Sequence, residues 1–455
     1  MASKRSSNRK RSFAKRHPKL LTALVIIVVI LIAAVVALYF LRPDIFSQFG
    51  GQPHFSDNTD DDNGNTDDDN DNTDDDNDNT DDNNGNTDDD GGQDDPEGTN
   101  GAVVEVPEGD LAEISGAEFS IHFLELGNEY TGDCTLIDCG DVEILIDAGS
   151  RKSSATTINS YIDQYCEDGV LEYVIATHAH QDHIAGFVGN SSGGTRTGVL
   201  YNFEVETLIQ FSGHNTDSQI YKDYVTATEY CQEEYGTDVY SAIDCWNNAN
   251  GASRSYDINE DGSLTLNILY NYYYENSTSD ENDYSVCVLL SYEPEGGEAS
   301  HYLFTGDLEG DGEDYLVEYN NLPEVVLFKG GHHGSKTSST EKLLQVIQPQ
   351  YVAVCCCSGS TEYTDNNDNT FPTQDFINRV SAYTDAVYCT TLADDSTEGF
   401  TSMNGNIVFY YDTSLHLWCS NNTTKLKDTD WFKANRVCEN WGWTESDRES
   451  FNSSQ

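Results

Sequence analysis

Positive charge is what this sequence has least of: 23 Lys and Arg stand against 80 Asp and Glu, a formal net charge of −57. A surface of that sign repels polyanions, which weighs against general nucleic-acid binding and leaves room only for a local basic site. Twelve cysteines are present, but none is spaced as C-x-x-C, so a cysteine metal site of that kind is not expected. Cys355, Cys356 and Cys357 follow the apolar run 351–354 and read as small buried thiols of a core strand. Cys419 and Cys438 flank the C-terminal segment as a candidate pair, whose connectivity a sequence does not reveal.

The stretch 57–96 lacks apolar residues almost entirely. It repeats Asn-Thr-Asp-Asp every seven residues, from Asn58, Asn65, Asn72, Asn79 and Asn86. With no apolar heptad position it is no coiled coil, and with nothing to bury it reads as a self-repelling, disordered spacer over 42–112. Before it, residues 1–19 form a basic head, and Leu20 to Leu41 carry a polar group only at Thr22 and Tyr39. At 1.5 Å per residue that run reaches about 30 Å, the thickness of a bilayer's hydrocarbon core, so it reads as one transmembrane helix. Basic residues crowd its N-terminal flank. The positive-inside rule therefore puts the N-terminus in the cytoplasm and everything after Arg42 outside, in a single-pass arrangement.

What is plentiful from 113 to 412 is strand pattern. Short apolar or alternating runs at 117–126, 134–138, 142–147, 264–270, 285–292, 302–305 and 325–329 read as strands, and 156–167 and 217–235 as helices. This order predicts an α/β fold of two packed β-sheets flanked by helices. After Asp412 a Trp-rich segment, 413–455, carries Trp418, Trp431, Trp441 and Trp443; packing onto the main domain and sugar stacking are both open to it.

The densest chemistry lies in Thr177–Gly186, T-H-A-H-Q-D-H-I-A-G, directly after the apolar 173–176. Side chains alternate faces in an extended segment, so His178 and His180 point the same way and can share one metal ion. Asp182 and His183 come where the chain turns toward a helix and can reach a second ion. Three imidazoles and a carboxylate this close are costly to bury without a compensating cation. Downstream, Ser338–Ser339–Thr340–Glu341 reads as a capped helix start. With Lys336 beside it, that start favours an anionic group such as phosphate.

The run resembles the H-x-H-x-D-H signature of the metallo-β-lactamase fold, an αββα sandwich. Ile144–Gly149 resembles that fold's strand ending in Asp-x-Gly, Leu303–Asp307 the strand that supplies a bridging aspartate, and Gly331–Ser338 the H-H-G-S segment of one branch. That branch is similar to the hydrolase domain of ComEC-type competence proteins and to related secreted phosphodiesterases. The resemblance implies two zinc ions, with manganese as the alternative. His178 and His180 would hold the first, Asp182 and His183 the second, with Asp307 bridging and either His332 or His333 completing the ligands of the second ion. The histidine left over would either support a ligand from behind or contact the transition state. The family's third ligand to the first ion has no clear counterpart; His214 lies in roughly the right interval. Asp147 is expected to orient a ligating imidazole rather than to ligate. Phe371–Pro372 stands where ComEC-like domains often carry His-Pro, a departure that bears on substrate contacts.

Two dications lower the pKa of a bridging water and polarise the electrophile, so the implied chemistry is hydrolysis by a metal-bridging hydroxide without a protein nucleophile. The expected substrate is a small-molecule or cell-surface phosphodiester or phosphoryl ester. The alternatives are a ComEC-like nuclease acting on extracellular DNA, and a non-catalytic surface-displayed binding protein.

Overall fold

The computed structural model describes residues 106–192, 194–394 and 399–455. The basic head, the transmembrane run and nearly all of the spacer lie outside the described residues; among those described, no helix is long and apolar enough to cross a membrane.

Two eight-stranded sheets form the body. The first runs in spatial order Leu415–Cys419, Ile407–Tyr411, Phe119–Phe123, Thr135–Asp138, Glu143–Ile146, Val170–Ala176, Glu204–Gln210, Asp238–Ser241. The second runs Gly399–Ser402, Val387–Asp394, Tyr351–Ser358, Leu327–Lys329, Ser300–Phe304, Val288–Tyr292, Leu264–Ile268, Ser255–Asp257. Strand Tyr351–Ser358 shows why such runs can be apolar throughout. Ala353 and Cys355 face the core between the sheets, while Val352, Val354 and Cys356 face the outer core, because successive side chains alternate. Phe119 against Tyr302 and Tyr351 against Phe409 join the sheets ring to ring, with centroids 5.5 and 5.3 Å apart. Helices Gly310–Tyr319, Glu341–Ile347 and Gln374–Val380 cover the second sheet through Leu316, Leu343, Leu344, Phe376 and Ile377.

The expected break at 412/413 is not a break. Leu415–Cys419 pairs antiparallel with Ile407–Tyr411 as the edge of the first sheet, because the run Leu415–Trp418 supplies one more half-buried strand. Trp431, Trp441 and Trp443 then pack, partly buried, against the outer core, and the Trp418 indole donates to Asp110 at 3.0 Å. Cys419 and Cys438 belong to different cores, and all twelve cysteines are free thiols.

Both sheets have a parallel centre. Glu143–Ile146, Val170–Ala176 and Glu204–Gln210 run parallel in the first, and Ser300–Phe304, Leu327–Lys329 and Tyr351–Ser358 in the second. Asp147, the His178–His183 run, Asp307, the His332–His333 pair and the segment 359–372 each follow the carboxyl end of one of these strands, the end at which parallel sheets gather ligands.

Candidate metal centre

Strand Glu143–Ile146 delivers Asp147 in a left-handed conformation, φ 59°. Its carboxylate accepts from the Thr177 amide at 2.8 Å and the Thr177 hydroxyl at 2.7 Å, and lies 2.8 Å from His183 Nδ1. A side chain at Gly149 would overlap the Asp182 carbonyl, so glycine is needed for the two loops to meet this closely. Helix Gln181–Val188 starts inside the motif and puts Asp182 in its first turn, where the helix dipole favours a carboxylate.

Asp133, His183, Asp307 and His333, all buried, offer ligand atoms within 4.8 Å of one another. His333 Nδ1 is taken by the Cys355 carbonyl at 2.9 Å, as His183 Nδ1 is by Asp147. Both rings therefore turn Nε2 toward one oxygen of Asp307, each at 3.0 Å. Asp182 is 3.4 Å from His333 Nε2 and is held from behind by the Tyr363 hydroxyl at 2.8 Å. Lys329, at the end of its strand and buried, pairs with Asp133 and lies 3.4 Å from the other oxygen of Asp307.

The charges are tightly balanced. Burial pushes Asp133 and Asp307 up, but Lys329, His183 and His333 outweigh it and hold both carboxyls below their usual range. Burial likewise lowers His183, yet Asp307 and Asp147 drive it up to about 10. His333 Nε2 makes no hydrogen bond, although Asp307 stands 3.0 Å from it, and the buried Asp133 carboxylate meets Lys329 and, at 3.2 Å, His333 Nδ1. Nitrogen and carboxylate ligand atoms converging on one point, with each imidazole pinned through its other nitrogen, are what a divalent metal requires. The residues fit the ion.

Beside this group stand His178 and His180, with Nε2 of the first 3.0 Å from Nδ1 of the second. Burial and the neighbouring imidazoles His183 and His180 keep His178 well below its ordinary pKa, hence neutral with a lone pair to give. His180 is half-buried at the start of the helix.

Three expected residues stand apart from these groups. His214 is exposed, its Nδ1 3.0 Å from the Thr216 carbonyl and its ring 4.2 Å from that of Tyr221. Between its loop and the histidine motif sits buried Glu281, which accepts from the amides of Ala179 and Asn215. His332 is 4.0 Å from Asp307, and its Nδ1 faces Glu309 at 3.2 Å and Thr337 at 3.1 Å. The pair is split by backbone rather than by strand alternation: His332 and His333 both take left-handed conformations, φ 46° and 55°, which turn His333 in and His332 out. Lys336 is half-buried in the same loop, its carbonyl accepting from Arg379 at 2.8 Å. Helix Glu341–Ile347 is capped by Thr340 as expected, but its entrance is already filled by a carboxyl group. Buried Glu313 accepts from the amides of Ser339 and Thr340 at 2.6 and 2.7 Å, so this helix start is not a phosphate site.

Sequence reasoning missed Asp133, Lys329 and Tyr363. The signal for Lys329 was a lysine ending an apolar strand; Asp133 and Tyr363 carry none, since their partners are remote in the chain.

A family model described as the metallo-beta-lactamase superfamily matches residues 127–189. No curated protein matches the chain. Among solved structures, the metallo-beta-lactamase fold protein YhfI from Bacillus subtilis is 12% identical, with 61% of this chain and 96% of that one covered and a TM-score of 0.31. MEM-A1, a subclass B3 metallo-beta-lactamase from a soil metagenome library, is 13% identical, with 47% and 78% covered and a TM-score of 0.28. The matched stretch contains Asp133, Asp147 and the whole run from His178 to His183, so the similarity to the metallo-beta-lactamase superfamily, whose members are generally metal-dependent hydrolases, falls on the residues of this site.

Proposed function

We propose that this protein hydrolyses a phosphodiester or phosphoryl ester with two divalent ions, zinc or manganese, and that a single N-terminal helix anchors it with the hydrolase domain outside the membrane. The observation that carries the chemistry is the pairing of two donor groups, His178 with His180 and Asp182, His183 and His333 around Asp307. Bound there, divalent ions would acidify water and polarise a phosphoryl oxygen. Two dications would bring four positive charges against the three carboxylates Asp147, Asp182 and Asp307, while Asp133 is offset by Lys329. That surplus favours an anionic substrate, and paired ions suit in-line displacement at phosphorus.

The protein's own groups then have separate tasks. Asp147 and the Cys355 carbonyl keep His183 and His333 in the tautomer whose Nε2 is free to ligate. Tyr363 orients Asp182. His332, half-buried and steadied by Glu309 and Thr337, is placed to donate a hydrogen bond to charge developing on the substrate. The strongly acidic surface disfavours the nuclease alternative.

Purified protein loaded with zinc or manganese, screened against phosphodiester, phosphomonoester, lactone and β-lactam reporters, tests the reading. Turnover of a phosphoester that Asp307→Ala abolishes is expected; turnover of only the β-lactam or lactone would overturn it. For the anchor, protease added to intact cells should release a soluble fragment by cutting the aspartate-rich spacer, and a domain digested only after lysis would contradict it.

A further inference from the structure

The segment 359–372 follows strand Tyr351–Ser358 and lies over the metal centre. Phe371 takes the position where the resembling branch has a histidine, and it neither ligates nor donates. Its ring is 5.9 Å from that of His333 and 6.0 Å from that of His332, and Tyr363 stands 5.6 Å from it at 48°. All three of Tyr363, Phe371 and His332 are half-buried.

Both ends of this wall are tied to the C-terminal segment. At one end Gly359, φ 81°, lies so close under Trp431 that a side chain would press on the indole nitrogen. At the other, Arg436 is fully buried and donates to the carbonyls of Thr370 at 2.8 Å and Pro372 at 3.1 Å, and to the Thr370 hydroxyl at 2.9 Å. Gln374 and Val437 add a reciprocal pair of bonds at 2.7 and 3.1 Å. A buried guanidinium is costly unless its donors are matched, and here they hold the residues on either side of Phe371.

We propose that Tyr363 and Phe371 form a subsite for a planar aromatic group of the substrate, an aryl or nucleobase substituent next to the phosphoryl centre, and that Arg436 is the positioning residue of this wall. The proposal rests on the phosphoryl-ester reading above. Neutral rings set at an angle offer face and edge contacts that an arene matches and a saturated group does not.

The test is binding of phenylphosphonate and methylphosphonate to the zinc-loaded full chain by calorimetry, since the two share a head group and neither is hydrolysed. Phenylphosphonate should bind about tenfold more tightly than methylphosphonate, and cyclohexylphosphonate should not match it. Phe371→Leu should erase the phenyl preference while leaving methylphosphonate affinity and zinc content unchanged, and Tyr363→Phe should retain it. Arg436→Lys should reduce the preference in the same way with zinc content intact. Equal binding of the phenyl and methyl compounds by the wild type, or a phenyl preference that survives Phe371→Leu, overturns the subsite but leaves the phosphoryl reading standing. Binding of none of the three phosphonates overturns the phosphoryl reading and the subsite with it.

Discussion

The two halves of the metal centre are built to different standards. Around Asp307, His183 and His333 are fully buried and pinned through their second nitrogens, and a lysine balances the extra carboxylate. Around His178 and His180 there are two rings, one of them half-buried, and the expected third ligand, His214, is exposed with its Nδ1 at the Thr216 carbonyl. Pinning a ligand in advance removes most of the ordering cost of binding, so the first half should take its ion tightly and the second weakly.

Removing Asp307 should do most damage, because it stands 3.0 Å from both His183 and His333 and is the proposed bridge to the second ion. Asp307→Ala is expected to lower zinc from about two equivalents per chain toward none and to reduce turnover by roughly a thousandfold or more; elemental analysis beside a rate assay checks this. Lys329→Met leaves Asp133 buried without its counter-charge, which costs about 3–5 kcal/mol. A denaturant melt of the metal-free protein would read that loss, and an unchanged midpoint would show that the lysine is not what the well-built half depends on.

The adjacent histidines sharpen the comparison further. His333→Ala should lose zinc and activity together, whereas His332→Ala should keep its zinc and lose about 10²–10³ in turnover. Neither substitution changing zinc or rate would remove this loop from the site altogether. The smallest effect is expected from His214→Ala. If two histidines alone hold the weaker ion, a zinc titration of this variant overlays that of the wild type, and a weakened second step would restore His214 as the missing ligand.

Much of this site could be read from local sequence. His178, His180, Asp182 and His183 lie within six residues, and the step from strand to helix that spreads them needs only their own chain. Asp307 and the histidine pair were legible as polar residues ending apolar strands, and the strands themselves as short buried runs. Asp133 was not legible, since Gly132–Asp133–Cys134 resembles any polar turn before a strand, and its partners Lys329 and His333 come about two hundred residues later. Nor was Glu313. A cap motif read from 338–341 says that a helix begins there, not that a carboxylate from a neighbouring helix already fills its entrance.

By itself, then, the sequence determined where strands end in ligands, which residue types the centre offers, and that the surface repels polyanions, because these depend on side-chain periodicity and on charge counts. Tertiary structure alone decided that His333 and not His332 turns inward, that Asp133 and Lys329 join the group, and that the tryptophan-rich tail holds the wall bearing Phe371. Each of those outcomes depends on backbone turns and on contacts between segments far apart in the chain, and no local pattern encodes which distant groups packing will bring together.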